Sequence, residues 1–328
     1  MNKIEFPSFN KVLQAIEKLK QVEWPKFDNQ TPISDFIKKI DEIYFKELPI
    51  LPNIVKFKKP SEFQFSLYRV REYDSILNKD FISEYSYPPV EKTKIGRCNF
   101  PNRPVFYCSN NPMVSLMETV RESDFKGKVF CLTKWNLIPS EEKFIVENFL
   151  GSGLHPDNPF NLLIETEIHQ IKEQFNQVWN EDIEKGFLFL QAFLHETFIN
   201  DHNYGLSAAL ANRTIFAPHD MATDILLYPS VQSKYKGVNM AINPNFVDQQ
   251  MQLQRLYLVK LNRKDLEIGE FNISFTHSYG VVNKNRIEWK KIESDNEEYK
   301  KFIVEDFSHH LPDNLKFEFE TFNQIYKT

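Results

Sequence analysis

The chain alternates segments of helical periodicity with short runs of aromatic and β-branched residues, and this alternation restricts it to folds that combine helices with a sheet. Segments 8–22 and 34–48 carry apolar residues at helical spacing. Segments 63–71, 104–108 and 128–137 are short, apolar and rich in residues that strands favour. We therefore expect the α+β class.

Three segments are predicted along the 328 residues. A proline-rich stretch separates an N-terminal helical appendage, residues 1–60, from a central domain at 61–265. The central domain contains a helical insertion at about 139–200, because its apolar residues follow the helical period there. Residues 266–328 form a C-terminal α+β extension.

Charge and hydropathy exclude two classes of partner. The chain has 40 basic and 45 acidic residues, a net charge of -5, so we expect no polycationic surface for nucleic acid. Its longest nearly apolar run, 187–194, is far shorter than the roughly 18 to 20 residues that span a bilayer. The N-terminus lacks the apolar stretch of a secretory signal. These features predict a cytoplasmic protein without a membrane contact.

Metal and glycine-rich nucleotide sites are not expected. The three cysteines show no CxxC spacing, and the eight histidines lack the spacing of metal ligands. Only 9 glycines accompany 30 phenylalanines, which argues against a glycine-rich phosphate loop. Side chains must therefore hold any bound nucleotide.

Arg69 lies in the strand predicted at 63–71, and alternation places it on the same face as Leu67. A guanidinium among apolar residues needs a partner, because burying an unpaired charge is costly. Two partners stay open. One is a carboxylate such as Glu118, and the other is the diphosphate of a bound dinucleotide, which a planar guanidinium binds well.

A helix is predicted to begin at Pro112, with Asn111 as its N-cap. Its apolar stripe is formed by Met113, Leu116, Met117 and Val120. Glu118 lies roughly 140 to 150 degrees from that stripe, so periodicity alone predicts that it faces solvent.

Five short motifs then occur in a fixed order: LYRVR at 67–71, GRCN at 96–99, PVFYCSNNPMVSLMET at 104–119, LLYPSVQ at 226–232 and GVNMAINP at 237–244. In this order the chain resembles the RES domain family, which is named for an Arg, a Glu and a Ser. Characterised members degrade NAD at the nicotinamide ribosyl bond, and many are toxins of toxin-antitoxin pairs. The resemblance implies a small split β-sheet core like that of ADP-ribosylating toxins.

The resemblance carries functional positions onto individual residues of this chain. The catalytic positions fall on Arg69, Glu118 and Ser230, and the substrate-binding positions fall on Arg97, Asn99 and Tyr107. The residues themselves leave simpler roles open for two of them. Tyr107 could be a core tyrosine, and Ser230 could be a turn serine.

The resemblance thus implies an NAD glycohydrolase or NAD phosphorylase that uses NAD as its substrate and needs no cofactor. Its side chains would surround one dinucleotide-sized hollow. An ADP-ribosyltransferase acting on a macromolecule and a non-catalytic NAD-binding module are the alternatives. The insertion and the terminal segments suggest a protein partner, such as an antitoxin, or a homo-oligomer, and the sequence does not separate these.

Overall fold

The computed structural model describes residues 6–51, 55–63, 65–120, 125–151, 154–156, 158–174, 178–233, 237–265, 270–292 and 296–307. The helices are α1 (Phe9–Lys20), α2 (Ile33–Glu47), α3 (Pro112–Thr119), α4 (Phe160–Gln174), α5 (Glu181–Asn200), α6 (Gly205–Ile215), α7 (Pro244–Gln250) and α8 (Glu297–Phe307). The strands are β1 (Lys56–Lys58), β2 (Leu67–Glu72), β3 (Phe106–Ser109), β4 (Phe130–Leu137), β5 (Phe144–Asn148), β6 (Ile225–Pro229), β7 (Val238–Ile242), β8 (Met251–Asp265), β9 (Glu270–Asn283) and β10 (Arg286–Lys291). The α+β class is confirmed.

The chain divides into two compact units, each assembled from three separate segments. The first unit contains Met1–Lys59, Pro88–Phe106 and Glu141–Pro244, and the second contains Pro60–Tyr87, Tyr107–Ser140 and Asn245–Thr328. One unit boundary falls between Lys59 and Pro60, close to the one expected near residue 60, whereas the residues on both sides of position 265 belong to the second unit. Residues 308–328, the end of the expected C-terminal extension, lie outside the described part of the chain.

The first unit is built on a mixed sheet in the order β1-β5-β6-β7. Strand β5 pairs antiparallel with β1 and parallel with β6, and β6 pairs antiparallel with β7. Every residue of β6 and β7 is buried. Their nearly continuous apolar sequences are typical of strands covered on both faces.

The N-terminal helices pack with the helical insertion. The backbone N–H of Phe9 donates to Asp182 Oδ2 at 3.1 Å, and the Phe9 ring meets that of Phe189 edge to face at 5.9 Å. Lys20 pairs with Glu196 at 2.9 Å. The helical pair predicted from 8–48 is therefore present, and α1 packs against α5.

One prediction for the insertion is wrong. Residues Phe144–Asn148 form β5, although the pattern from Ser140 onward predicted helix. The sequence FIVEN is a short apolar run, and such runs cannot be separated from a buried helix by periodicity alone. Pairing with two neighbouring strands decides the outcome, because it satisfies the backbone groups of this buried segment.

The second unit carries the antiparallel strand order β3-β2-β4-β8-β9-β10. The expectation of a small split sheet is thus wrong about size, since β8 and β9 alone extend over 15 and 14 residues. The core cluster on one face of this sheet includes Tyr68 and Val70 of β2. The C-terminal segment was expected to combine helix and strand, and it contributes β9, β10 and α8.

Neither a disulfide nor a membrane-spanning helix is found in the described ranges. Cys98, Cys108 and Cys131 are buried free thiols. No helix in those ranges combines the length and the apolar composition that crossing a membrane requires.

A buried ion cluster holds α8 on the sheet. The Asp306 side chain is fully buried, and its carboxylate lies 2.6 Å from Lys134 Nζ and 3.4 Å from Arg255 Nη1. The Tyr257 hydroxyl donates to the same carboxylate, and the Tyr68 hydroxyl donates to the Asp306 carbonyl oxygen at 3.3 Å. The cluster therefore links α8 to β2, β4 and β8.

Replacing Asp306 by Ala should lower the free energy of unfolding by about 3 to 5 kcal/mol, because it leaves two cations without their buried partner. Urea denaturation measures the change. The control is Glu305→Ala: Glu305 is 42% exposed and also pairs with Arg255, so its loss should cost less than about 1 kcal/mol. Equal effects of the two substitutions would contradict the cluster's role.

A second buried contact involves His195 on α5. The Gly151 N–H donates to His195 Nδ1 at 2.9 Å, and a Cβ at Gly151 would lie 2.9 Å from His195 Cβ. Burial lowers the pKa of His195 below its ordinary value of 6.5, although neighbouring Glu196 acts in the opposite direction. Nδ1 can accept this hydrogen bond only in the neutral imidazole.

Stability should consequently fall between pH 7.5 and 5.5, because the unfolded chain binds a proton at His195 more readily than the folded chain does. In His195→Asn, which keeps an acceptor but does not titrate, this fall should be smaller. Urea unfolding at the two pH values compares the variants. An identical pH dependence would contradict the account.

Candidate functional site

Helix α3 begins at the residues that the sequence predicts. The Asn111 side chain accepts hydrogen bonds from the backbone N–H groups of Met113 at 2.9 Å and Val114 at 3.3 Å, and Pro112 occupies the first turn. The four residues of the predicted apolar stripe all belong to the core cluster of the second unit. The start and the buried face of α3 are thus confirmed.

Helix α3 lies along the edge of β2. Strand β3 pairs with β2 at Tyr68 and Ser109. The Ser115 hydroxyl then donates to the Tyr68 carbonyl oxygen, and the Thr119 hydroxyl donates to the Val70 carbonyl oxygen at 3.3 Å. Side-chain hydroxyls of α3 thus donate to β2 carbonyl groups where the pairing of β2 with β3 ends.

These contacts fix the rotation of α3. Ser115 and Thr119 face the edge of β2, whereas Val114 and Met117 belong to the core cluster on the Tyr68 side of the sheet. At about 100° per residue, Glu118 lies between Val114 and Ser115 on the helix surface. Its side chain is partly exposed.

Arg69 belongs to the face of the sheet opposite Tyr68. Side chains alternate along β2, and Tyr68 and Val70 lie in the core cluster, so Arg69 points away from it. Its Nη1 donates to the Tyr107 carbonyl oxygen at 2.8 Å. Burial, followed by repulsion from Arg71, lowers the pKa of Arg69 to about 10, so the guanidinium stays charged at neutral pH.

Tyr107 contacts Arg69 through its backbone. In the pairing of β2 with β3, Tyr68 lies opposite Ser109. Alternation along β3 therefore assigns Tyr107 to the Tyr68 face and Cys108 to the Arg69 face. Burial raises the pKa of the Cys108 thiol, so Cys108 stays neutral there. Substrate binding by the Tyr107 ring stays a prediction.

Neighbouring Arg71 is held differently. Its Nη1 donates to the Glu84 carbonyl oxygen and lies 3.8 Å from Glu84 Oε2. Arg71 thus already has an acidic partner in the second unit, whereas the hydrogen bond described for Arg69 goes to a neutral carbonyl group. An ion pair of Arg69 with Glu118 stays open.

The GRCN motif forms a tight turn in the first unit. Gly96 and Asn99 exchange backbone hydrogen bonds at 2.9 and 3.3 Å. The buried Asn99 amide donates to the carbonyl oxygens of Lys94 at 2.8 Å and Phe100 at 2.9 Å. Asn99 therefore fastens the turn that presents Arg97, and its predicted contact with substrate stays untested.

Arg97 lies over an aromatic ring that the sequence analysis did not select. Its guanidinium carbon is 5.4 Å from the centre of the Tyr204 ring. Arg97 Nη1 is buried and has no hydrogen-bond partner within the described part of the chain. Tyr204 precedes α6 in a loop, and no periodic pattern connects it with residue 97, more than 100 positions earlier.

Ser230 is fully buried in a turn of the first unit. Its hydroxyl accepts a hydrogen bond from the Ser233 N–H at 3.3 Å, and its carbonyl oxygen accepts one from the Ser233 hydroxyl at 3.1 Å. The Gly237 N–H donates to the Ser233 hydroxyl at 3.0 Å. These contacts give Ser230 the turn role that the sequence left open beside a catalytic one.

Ser230→Ala should lower the free energy of unfolding by about 1 kcal/mol, because it removes the acceptor for the buried Ser233 N–H. Ser233→Ala, which removes the hydroxyl that joins Ser230 to Gly237, should cost at least as much. Urea denaturation compares them. Unchanged stability in Ser230→Ala would contradict the turn role.

Metal-binding potential and the surface hollow on α4 were compared with the predicted site residues in the described part of the chain. Among the described residues, no group of three His, Cys, Asp or Glu side chains lies close enough to hold a metal ion. A surface hollow on α4 is lined by Glu165, Ile168, His169, Lys172 and Glu173. It contains none of the predicted site residues.

Comparison with known proteins adds no relative. No protein-family model matches the chain, and no curated protein matches it. The motifs and the geometry of each unit are therefore the basis for any functional proposal.

Proposed function

We propose that the protein cleaves NAD at the bond between nicotinamide and ribose, with water or phosphate as the acceptor. The main support is the junction of β2 and α3, where hydrogen bonds from Ser115 and Thr119 hold the helix that carries Glu118 beside the strand that carries Arg69. A cation and a carboxylate at one junction suit a substrate with a diphosphate and a reacting ribose.

Glu118 is proposed to stabilise the ribosyl cation. Cleavage at C1' passes through an oxocarbenium-like transition state, and a fixed carboxylate lowers its free energy. Glu118 is partly exposed on a helix whose rotation is fixed by two hydroxyl contacts. It can thus reach a substrate without first breaking the core contacts of α3.

Arg69 is proposed to bind the diphosphate. Its pKa of about 10 leaves it charged at neutral pH, and its guanidinium lies near the like charge of Arg71. An anionic ligand relieves this repulsion and pairs with a planar donor group. Substrate binding by Arg97, which belongs to the first unit, stays a prediction of its own, and its buried Nη1 lacks an acceptor in the described part of the chain.

The proposed reaction needs no strong general acid, because the nicotinamide ring nitrogen is positively charged in NAD and becomes neutral on departure. Nicotinamide leaves with the bonding electron pair, and water or phosphate supplies the new bond to C1'. Water loses a proton to solvent in this step. Tyr107 and Ser230 remain candidates for orienting the nicotinamide end, with the buried turn of Ser230 as the competing role.

The proposal extends to the cellular setting expected from the sequence. We predict a cytoplasmic location and membership of the RES family. We also predict a protein partner, which is an antitoxin or a second copy of this chain. Incubation with NAD, with and without phosphate, tests the chemistry when nicotinamide, ADP-ribose and its 1''-phosphate are resolved. Label transferred to a macromolecule would instead indicate an ADP-ribosyltransferase, and binding without nicotinamide release would indicate a non-catalytic module.

Glu118→Ala should lower the rate of nicotinamide release by about 100-fold or more, typical for the loss of one preorganised electrostatic stabiliser. Chromatography of the reaction products measures the rate. The matched control is Glu17→Ala, which removes an exposed glutamate from α1. Wild-type activity in Glu118→Ala, or an equal loss in Glu17→Ala, would overturn the role of Glu118.

A further inference from the structure

Tyr204 combines two unusual features. It adopts a left-handed backbone conformation with φ of 58°, and its ring lies beneath the guanidinium of Arg97. A left-handed conformation is unfavourable for a residue with a side chain, and such strain persists only where surrounding contacts maintain it. The contacts that hold Tyr204 therefore indicate what the strain accomplishes.

Backbone and side-chain contacts hold Tyr204 in this conformation. The Tyr204 N–H donates to the Asp201 carbonyl oxygen at 3.4 Å. Asp201 Oδ2 accepts hydrogen bonds from the Ser207 N–H at 2.8 Å and the Ser207 hydroxyl at 2.9 Å. At the next position, a Cβ on Gly205 would lie 2.9 Å from the Pro25 carbonyl oxygen, so only glycine fits without a shift.

The same aromatic cluster supports Arg97 and Tyr204. The Phe36 ring lies 5.8 Å from that of Phe100, which directly follows the GRCN turn. Phe36 Cζ would also lie 3.2 Å from a Cβ on Gly205, which directly follows Tyr204. Phe36 is thus packed against the chain next to both residues, and this packing limits their relative movement.

The Arg97 guanidinium is held over the Tyr204 ring, but its Nη1 has no hydrogen-bond acceptor within the described part of the chain. The Tyr204 ring attracts the cation, yet it offers no strong hydrogen-bond acceptor to Nη1. A buried donor without an acceptor costs free energy, and such donors need an explanation. An oxygen of a bound diphosphate would supply the acceptor after a small rotation of the guanidinium group.

We propose that Tyr204 is a positioning residue that holds Arg97 for the diphosphate of a dinucleotide. This proposal rests on the proposed function, since NAD supplies the diphosphate. Tyr204 acts through Arg97 by limiting the conformations of its side chain before the ligand binds. The entropy of ordering that side chain is then not lost on binding, which raises affinity.

Titration calorimetry with ADP-ribose tests the proposal, because this ligand keeps the diphosphate and lacks the bond to nicotinamide. Tyr204→Leu should weaken binding about fivefold, the effect expected when one long side chain must be ordered on binding. Tyr204→Phe, which keeps the ring, should bind as the wild type does. In kinetics with NAD, Tyr204→Leu should raise KM and leave kcat nearly unchanged.

A double-mutant cycle separates positioning from general stability. In an Arg97→Ala background, Tyr204→Leu should cause no further loss of ADP-ribose affinity, because the side chain that it positions is absent. Tyr204→Gly provides a second variant, since glycine removes both the ring and the backbone strain. It should weaken binding without lowering the melting temperature.

The outcomes distinguish the two proposals. A wild-type protein that binds neither NAD nor ADP-ribose would overturn the proposed function and the role of Tyr204 together. Wild-type binding with unchanged affinity in Tyr204→Leu and Tyr204→Gly would overturn only the role of Tyr204. Additive losses in the double-mutant cycle would also overturn it.

Discussion

The hydrogen bonds from α3 to the edge of β2 determine the geometry of the candidate site. Where β3 stops pairing, the hydroxyls of Ser115 and Thr119 donate to β2 carbonyl oxygens. Buried carbonyl groups without partners would destabilise this edge. Because both hydroxyls lie on one side of α3, they fix its rotation with the apolar stripe buried in the core cluster.

Two arginines carry the proposed recognition of phosphate, each within its own compact unit. Arg69 is a charged group on a strand, near the like charge of Arg71, and burial lowers its pKa. Arg97 stands at a tight turn that Asn99 fastens, above the ring of Tyr204. In the contacts described, Arg69 donates to a neutral carbonyl group and Arg97 lies over a neutral ring.

Local sequence patterns predicted the elements of this site well. The N-cap at Asn111, the stripe of α3 and the alternation along β2 depend on neighbouring residues, and all three are present. The solvent-facing position expected for Glu118 is consistent with its partial exposure. Periodicity records which side is buried but contains no information about what lies opposite.

The features that the sequence did not predict depend on distant parts of the chain. Strand β5 exists because β1 and β6 pair with it, from positions far away in the sequence. Helix α1, expected as part of an appendage, packs on α5 because its apolar face needs a partner. The contact of Tyr204 with Arg97 likewise joins segments more than 100 residues apart, and a left-handed tyrosine has no reliable sequence signal.

The central claim is that Arg69 and Glu118 act on one bound NAD, and the rate of nicotinamide release in a double-mutant cycle tests it most directly. The four proteins are the wild type, Arg69→Lys, Glu118→Gln and the double variant. The account predicts that the fold decrease in rate of the double variant is much smaller than the product of the fold decreases of the two single variants. The reason is that either change already disrupts the transition state that both residues stabilise. Losses that multiply, or a wild type that releases no nicotinamide, would contradict it.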